Sequence, residues 1–165
     1  MASSAPETVP GPAPAVISTT PIPVLMLRGS AALSPFREAR LMERLRAAVP
    51  RIQSIYAEYR HLTALTAELA ANELATLSRL LTYGPQRDSH EPAGELLLVV
   101  PRLGTISPWA TKATDIAHHC ALRKIRRLER GVAWFVMTAD GTVLNADERR
   151  QVAALLHDRM TESVL

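Results

Sequence analysis

The sequence is poor in the features that mark several large protein classes. It has one cysteine, Cys120, so no disulfide can close within the chain, and a single thiol suits a reducing cytosol. No apolar run approaches the ~20 residues of a membrane span. The N-terminus lacks the basic stretch and continuous apolar core of a signal peptide. A cytoplasmic protein with no membrane partner is therefore the expectation. Charge is close to balanced, with 19 Lys and Arg against 16 Asp and Glu, a net +3 and a pI near 9.5. That excess is too small for a dedicated nucleic-acid binder, so no nucleic-acid partner is expected. There is no G-x-S-x-G or G-x-C-x-G elbow, no P-loop and no G-x-G-x-x-G, and nucleophilic, ATP and dinucleotide chemistry have no recognisable carrier. No cofactor is expected in this chain. His118-His119-Cys120 has no CxxC or HxxxH companion, and adjacent helical residues point about 100° apart, so no metal site is expected.

What is present reads as one soluble domain behind a tail, at 165 residues, 47% hydrophobic and 21% charged. Residues 1–23 hold six of the twelve prolines and one charged side chain, Glu7. So little apolar surface and so many missing backbone donors predict a disordered tail. The domain is expected over 24–165.

The pattern from Val24 onward is regular. Val24–Leu27 reads as a strand closed by Arg28-Gly29-Ser30. Ser34-Pro35 opens a helix, since serine caps free amides and proline suits the first helical position. Leu41, Met42, Leu45, Ala48 and Val49 form its apolar face, and Pro50 ends it. Ile52–Leu65 reads as a strand, and Leu74, Leu77, Leu80 and Leu81 mark a second helix ending at Tyr83-Gly84-Pro85. After a polar link, Gln86–Gly94, the scheme repeats. Leu96–Val100 is an apolar run expected to be buried on both faces. Ser107-Pro108 opens a helix with Ala110, Ala113, Ala117 and Cys120 on its apolar face, followed by a strand over Arg127–Met137 and a helix over Ala146–Met160.

Local matches support an internal duplication, with pseudo-repeats at about 24–85 and 95–162. Leu33-Ser34-Pro35-Phe36 resembles Ile106-Ser107-Pro108-Trp109, 73 positions later. Ile52 and Ile55 fall opposite Ile125 and Leu128 at the same offset, and Glu73 and Leu77 match Glu148 and Val152 at 75. Strand–helix–strand–helix, twice, predicts an α/β (α+β) two-layer sandwich with pseudo-twofold symmetry.

The stretch from Pro101 to Ala117 carries the candidate functional residues. A strand runs through a loop with Arg102, Gly104, Thr105 and Ser107 into a helix, an arrangement whose free amides and dipole favour anions. A capped helix anchored to the sheet by Trp109 is the other reading of the same residues. Lys112, Asp115 and His119 form a polar stripe, either an interface or a solvated face. Arg123, Lys124, Arg126, Arg127 and Arg130 form a basic cluster without aromatic interleaving, read as a loop rim or a partner interface.

The residues Leu27-Arg28-Gly29-Ser30-Ala31-Ala32-Leu33-Ser34, Ile55-Tyr56-Ala57-Glu58-Tyr59, Leu81-Thr82-Tyr83-Gly84-Pro85, Gly104-Thr105-Ile106-Ser107-Pro108-Trp109 through His118, Arg127–Ala133 and Leu156–Glu162 occur in that order. Together they resemble the start of the large single-chain phosphoribosylformylglycinamidine synthases of proteobacterial type. The resemblance implies a ligase that uses ATP and glutamine to convert formylglycinamide ribonucleotide to formylglycinamidine ribonucleotide in purine biosynthesis. It implies that this region resembles a fused dimer of the small subunit that bridges synthetase and glutaminase in multi-subunit versions. The implied partners are synthetase and glutaminase domains, on the same polypeptide or as separate subunits. The resemblance also implies that ATP and magnesium belong to the full-length enzyme, and that the synthetase ligands and glutaminase triad lie beyond the sequence at hand. Read this way, the chain is a fragment or a free-standing bridging subunit, with no catalytic residue of its own. Arg102, Thr105, Ser107, Trp109, Lys112 and Asp115 are the interface or near-site candidates.

Overall fold

A computed structural model describes residues 23–84 and 92–165; nearly all of the proline-rich stretch and most of the expected Gln86–Gly94 link lie outside the described residues. The element order is β1 (Val24–Ala31), α1 (Pro35–Ala48), β2 (Ile52–Leu65), α2 (Ala71–Leu80), β3 (Glu95–Pro101), α3 (Pro108–His119), β4 (Ile125–Thr138), α4 (Ala146–Leu156) and β5 (Glu162–Val164). The strands form one antiparallel sheet in the order β1-β2-β4-β3-β5.

The sheet is organised by its two central strands. β2 and β4 are each 14 residues long and pair along their whole length, from Ile52 opposite Thr138 to Leu65 opposite Ile125. Alternate side chains take opposite faces. Ile55, Ala57 and Leu65 of β2, with Leu128, Trp134 and Val136 of β4, share one face and pack against all four helices. Leu45 of α1 and Val152 of α4 close the core at one end, and Leu77 of α2 and Ala117 of α3 close it at the other. Leu45, Leu77 and Val152 are wholly buried, each contributing about 1.5–3 kcal/mol for the large side chains. Among the described residues, no helix covers the second face of the sheet. The architecture is thus the expected two-layer sandwich.

The local signals behind the elements also show in the structure. Ser34 and Ser107 cap α1 and α3 ahead of Pro35 and Pro108, 73 positions apart, the same spacing that separates the starts of β2 and β4. In α4, Asn145 Oδ1 accepts from the amides of Asp147 and Glu148, while Glu148 accepts from the Asn145 amide. Glu148 also binds Arg51 at 2.7 Å. Glu73 in α2 repeats this, accepting from the Ala70 amide and pairing with Lys124 at 2.7 Å.

Several expectations are corrected. β1 does not close at Leu27 but runs through Gly29 to Ala31, with a register shift after Arg28. β3 is not buried on both faces, because Leu96 is 49% exposed on the helix-free side while Leu97 is buried. α4 ends at Leu156 rather than Met160. His157 is extended, and Asp158 accepts from the Met160 and Thr161 amides in a turn that releases Glu162–Val164 to pair with β3. Cys120 is not on the apolar face of α3: it is the exposed C-cap, after which Ala121, at φ 63°, redirects the chain and Leu122 takes the buried position.

Candidate functional site

At the centre of the helix-facing side, two core regions meet around a polar and aromatic cluster. His61 of β2 is wholly buried and sits across the strand pair from Arg130 of β4. Tyr59, two residues earlier, projects to the same side. Tyr83 enters from the turn after α2 and Trp109 from the first turn of α3. The His61 and Trp109 rings stack at 5.8 Å, and the His61 and Tyr83 rings meet edge-on at 5.6 Å. The Arg130 guanidinium lies over both the Tyr59 ring, at 4.4 Å, and the Trp109 ring, at 5.0 Å. Each such cation–π arrangement contributes about 0.5–2 kcal/mol, more as water is excluded.

Arg130 Nη1 donates to the Tyr83 hydroxyl at 3.3 Å, because a guanidinium can only donate. The Tyr83 hydroxyl and His61 Nε2 are hydrogen-bonded at 2.7 Å, with the donor set by the imidazole tautomer. His61 Nδ1 has no hydrogen-bond partner among the described residues. Burial, and then the charge of Arg130, push the imidazole from 6.5 down to about 4, so the ring is neutral at neutral pH. Gly29 of β1 makes room for it, since a Cβ there would stand 2.7 Å from His61 Cε1.

A cavity of about 550 Å³ opens beside this cluster, between the β1–α1 turn and the end of α2. Ser30, Ser34, Tyr59, Tyr83 and Arg130 border it, with Ala31, Ala32 and Leu33 supplying an apolar wall. Gly84, at φ 78°, closes the rim where a Cβ would come 3.1 Å from Ser30 Oγ. The arrangement holds one cation in fixed orientation at the edge of a partly apolar hollow.

The six residues singled out from sequence do not converge on one place. Trp109 joins the cluster. Lys112 is exposed and shares with Trp109, Tyr83 and Leu81 a second cavity of about 240 Å³ between α2 and α3. Arg102 and Thr105 are exposed on the other side, where they border a groove of about 310 Å³ with Val24, Leu62 and Leu165. Thr105 Oγ1 donates to the Arg102 carbonyl, and the Thr105 carbonyl accepts from Arg127 Nη2. Ser107 caps the Ala110 amide at 3.0 Å and donates to Glu129 at 2.7 Å. Asp115 is exposed on α3, its carbonyl accepting from His119 Nδ1.

The start of α3 follows the capped-helix reading rather than the anion-binding one. Burial works against the charge of Glu129, but hydrogen bonds from Ser107 and Arg127 outweigh it and hold its carboxyl below the ordinary range. A carboxylate already stands at that helix start. The basic cluster also separates: Lys124 pairs with Glu73, Arg127 with Glu129, and Arg130 turns inward. β4 begins at Ile125, so successive residues from there alternate between faces.

The helix-free face carries its own charge network. Glu58 is 1% exposed. It accepts two bonds from Arg28 at 2.9 Å, pairs with Arg60 at 2.5 Å and accepts from Tyr56 at 3.2 Å. Burial opposes its charge, yet the Arg28 hydrogen bonds and the Arg60 charge prevail and lower its pKa. Around this network Val24, Met26 and Leu96 stand exposed.

Sequence reasoning missed Tyr59, His61 and Tyr83 and read Arg130 as part of a loop rim or a partner interface. The available clue was rarity. The chain has only three tyrosines and two tryptophans, and Tyr59 and His61 have the i, i+2 spacing that places two side chains on one strand face.

No described helix is long and apolar enough to cross a membrane. The family model described as formylglycinamide ribonucleotide amidotransferase N-terminal matches residues 58–165, from within β2 through β5. The match takes in His61, Tyr83, Trp109 and Arg130 and spans more than half of the chain. This chain belongs to the formylglycinamide ribonucleotide amidotransferase N-terminal family.

Proposed function

We propose that this chain is the bridging domain of a cytoplasmic phosphoribosylformylglycinamidine synthase, joining the synthetase and glutaminase modules and helping shape the ammonia route between them. The observation that carries the reading is the helix-free face of the sheet. One face of a five-stranded sheet is covered by four helices, while the other presents exposed Val24, Met26 and Leu96 around guanidinium–carboxylate pairs already fixed in place. Exposed apolar side chains beside ordered polar groups are the composition of a protein interface. The groove bordered by Arg102 and Thr105 continues that face, so these two are its interface residues. Trp109, Lys112 and Asp115 belong to the opposite layer, where α3 offers a second contact, and Ser107 holds the loop between the two. In this reading the ligase reaction, with ATP and magnesium, belongs to the synthetase module, and ammonia release belongs to the glutaminase.

The test is association in trans. The chain is titrated into a synthase polypeptide lacking its own N-terminal domain, and sedimentation velocity reports the complex. Met26→Arg with Leu96→Arg, which place charges on exposed apolar positions, weaken association about tenfold or more. Absence of a complex with the unaltered chain, or an unchanged affinity in the double variant, contradicts the proposal.

A further inference from the structure

We propose that the cavity beside Arg130 is a binding site for a phosphate group. The inference is independent of the bridging role, since it rests on the helix-facing side of the sheet.

The first observation is the state of Arg130. Arg28, Arg51, Arg60 and Arg127 each hold a carboxylate at 2.9 Å or less. Arg130, by contrast, has no carboxylate within ion-pair distance among the described residues, and its guanidinium makes one hydrogen bond, to Tyr83 at 3.3 Å. A guanidinium carries five N–H donors, so most of its bonding capacity is unspent. The Tyr59 and Trp109 rings hold it in place, which lowers the entropy lost when an anion docks.

The second observation is what surrounds it. No acidic side chain borders the cavity among its described residues. An entering anion meets one fixed positive charge and no opposing negative one. Two further hydroxyls stand on the same walls, Ser30 from β1 and Ser34 from the start of α1. Ser34 Oγ lies 3.4 Å from the Arg37 amide, a long cap, and the positive end of the 14-residue α1 adds to the field at that wall.

Donor geometry selects the ligand. A planar carboxylate matches the guanidinium fork within a single plane. Hydroxyls from two separate elements, added to that fork, suit a tetrahedral group with three outward oxygens. The apolar wall of Ala31, Ala32 and Leu33 leaves room for an organic portion, so a phosphomonoester and free phosphate are the two sources of the same chemistry.

The experiment titrates the intact chain with inorganic phosphate and, separately, with ribose 5-phosphate, following amide shifts by NMR. Saturable binding is expected, with shifts around Ser30, Ser34, Tyr83 and Arg130. Tighter binding of ribose 5-phosphate identifies a phosphomonoester as the source, and equal affinity identifies free phosphate; either supports the site. Arg130→Gln weakens binding roughly tenfold or more, and Ser30→Ala, at a half-buried position outside the aromatic cluster, weakens it several-fold while leaving the fold intact. Glutamate, as a carboxylate probe, binds more weakly than phosphate. Failure of both phosphate probes to bind saturably overturns the proposal. So does binding by the Ser30→Ala chain that matches the unaltered chain, or glutamate binding as tight as phosphate.

Discussion

Two residues to either side of the Tyr59–Val132 pair, the central strands carry cross-strand pairs built in opposite ways. On one side Ala57 faces Trp134, and both are buried among Leu45, Leu97 and Val152 in an apolar core. On the other side His61 faces Arg130, beneath two tyrosines and a tryptophan. The offset of 73 that relates β2 to β4 relates these pairs as well, carrying His61 to Trp134 and Ala57 to Arg130. Around them the frame repeats closely: serine caps before proline, strands of equal length, and a helix carboxylate tied to the cation just before each central strand. The parts that set the fold recur, and the centre differs. That contrast separates residues that specify the sandwich from residues free to acquire a task.

The comparison is broken most severely at its apolar pair. Trp134→Ala empties a core position that is 7% exposed and costs about 3–5 kcal/mol, read as a lower urea midpoint with an unchanged slope.

The polar pair responds to pH instead. Above 6.5 His61 is neutral in both folded and unfolded chains. As the pH falls, the unfolded chain takes up the proton near 6.5 while the folded chain resists until about 4, so stability drains across that window. The full shift corresponds to at most about 3 kcal/mol. Glu148, held down to about 2 first by its bond from Arg51, and Asp140, held down to about 2 first by the Thr142 amide, act lower. Their stabilisation is complete above the ordinary carboxylate range and is lost as the pH falls toward 2. His61→Phe keeps the ring stack and removes the titration. Unfolding measured across pH should therefore flatten between 6.5 and 4 while the loss at lower pH remains.

The smallest effect is expected on the exposed face of α3. Lys112→Ala changes stability by no more than about 0.5 kcal/mol, measured by the same unfolding curves, because Lys112 is exposed and outside both cores.

Much of the frame was legible because its cues are local. Ser34-Pro35 and Ser107-Pro108 announce helices within two residues, and the branched and aromatic residues of Ile52–Leu65 identify a strand that the structure places at the same bounds. β5 was not legible, since three residues carry no periodicity and gain strand geometry only from the free edge of β3. Cys120 misled for a related reason: it falls in phase with Ala113 and Ala117, yet α3 ends one residue before it. The cluster around His61 depends on the β2–β4 register and on where α2 and α3 deliver Tyr83 and Trp109. Those are tertiary facts, and the Pro101–Ala117 stretch by itself contained just one of the five participants.

The measurement that bears most directly on the bridging role compares ligase rates driven by glutamine and by free ammonia, in a synthase that carries this domain with and without Met26→Arg and Leu96→Arg. The account predicts that the glutamine-driven rate falls about tenfold, a coupling loss near ~1.4 kcal/mol, while the ammonia-driven rate holds. Equal losses in both rates, or no change in either, would contradict it.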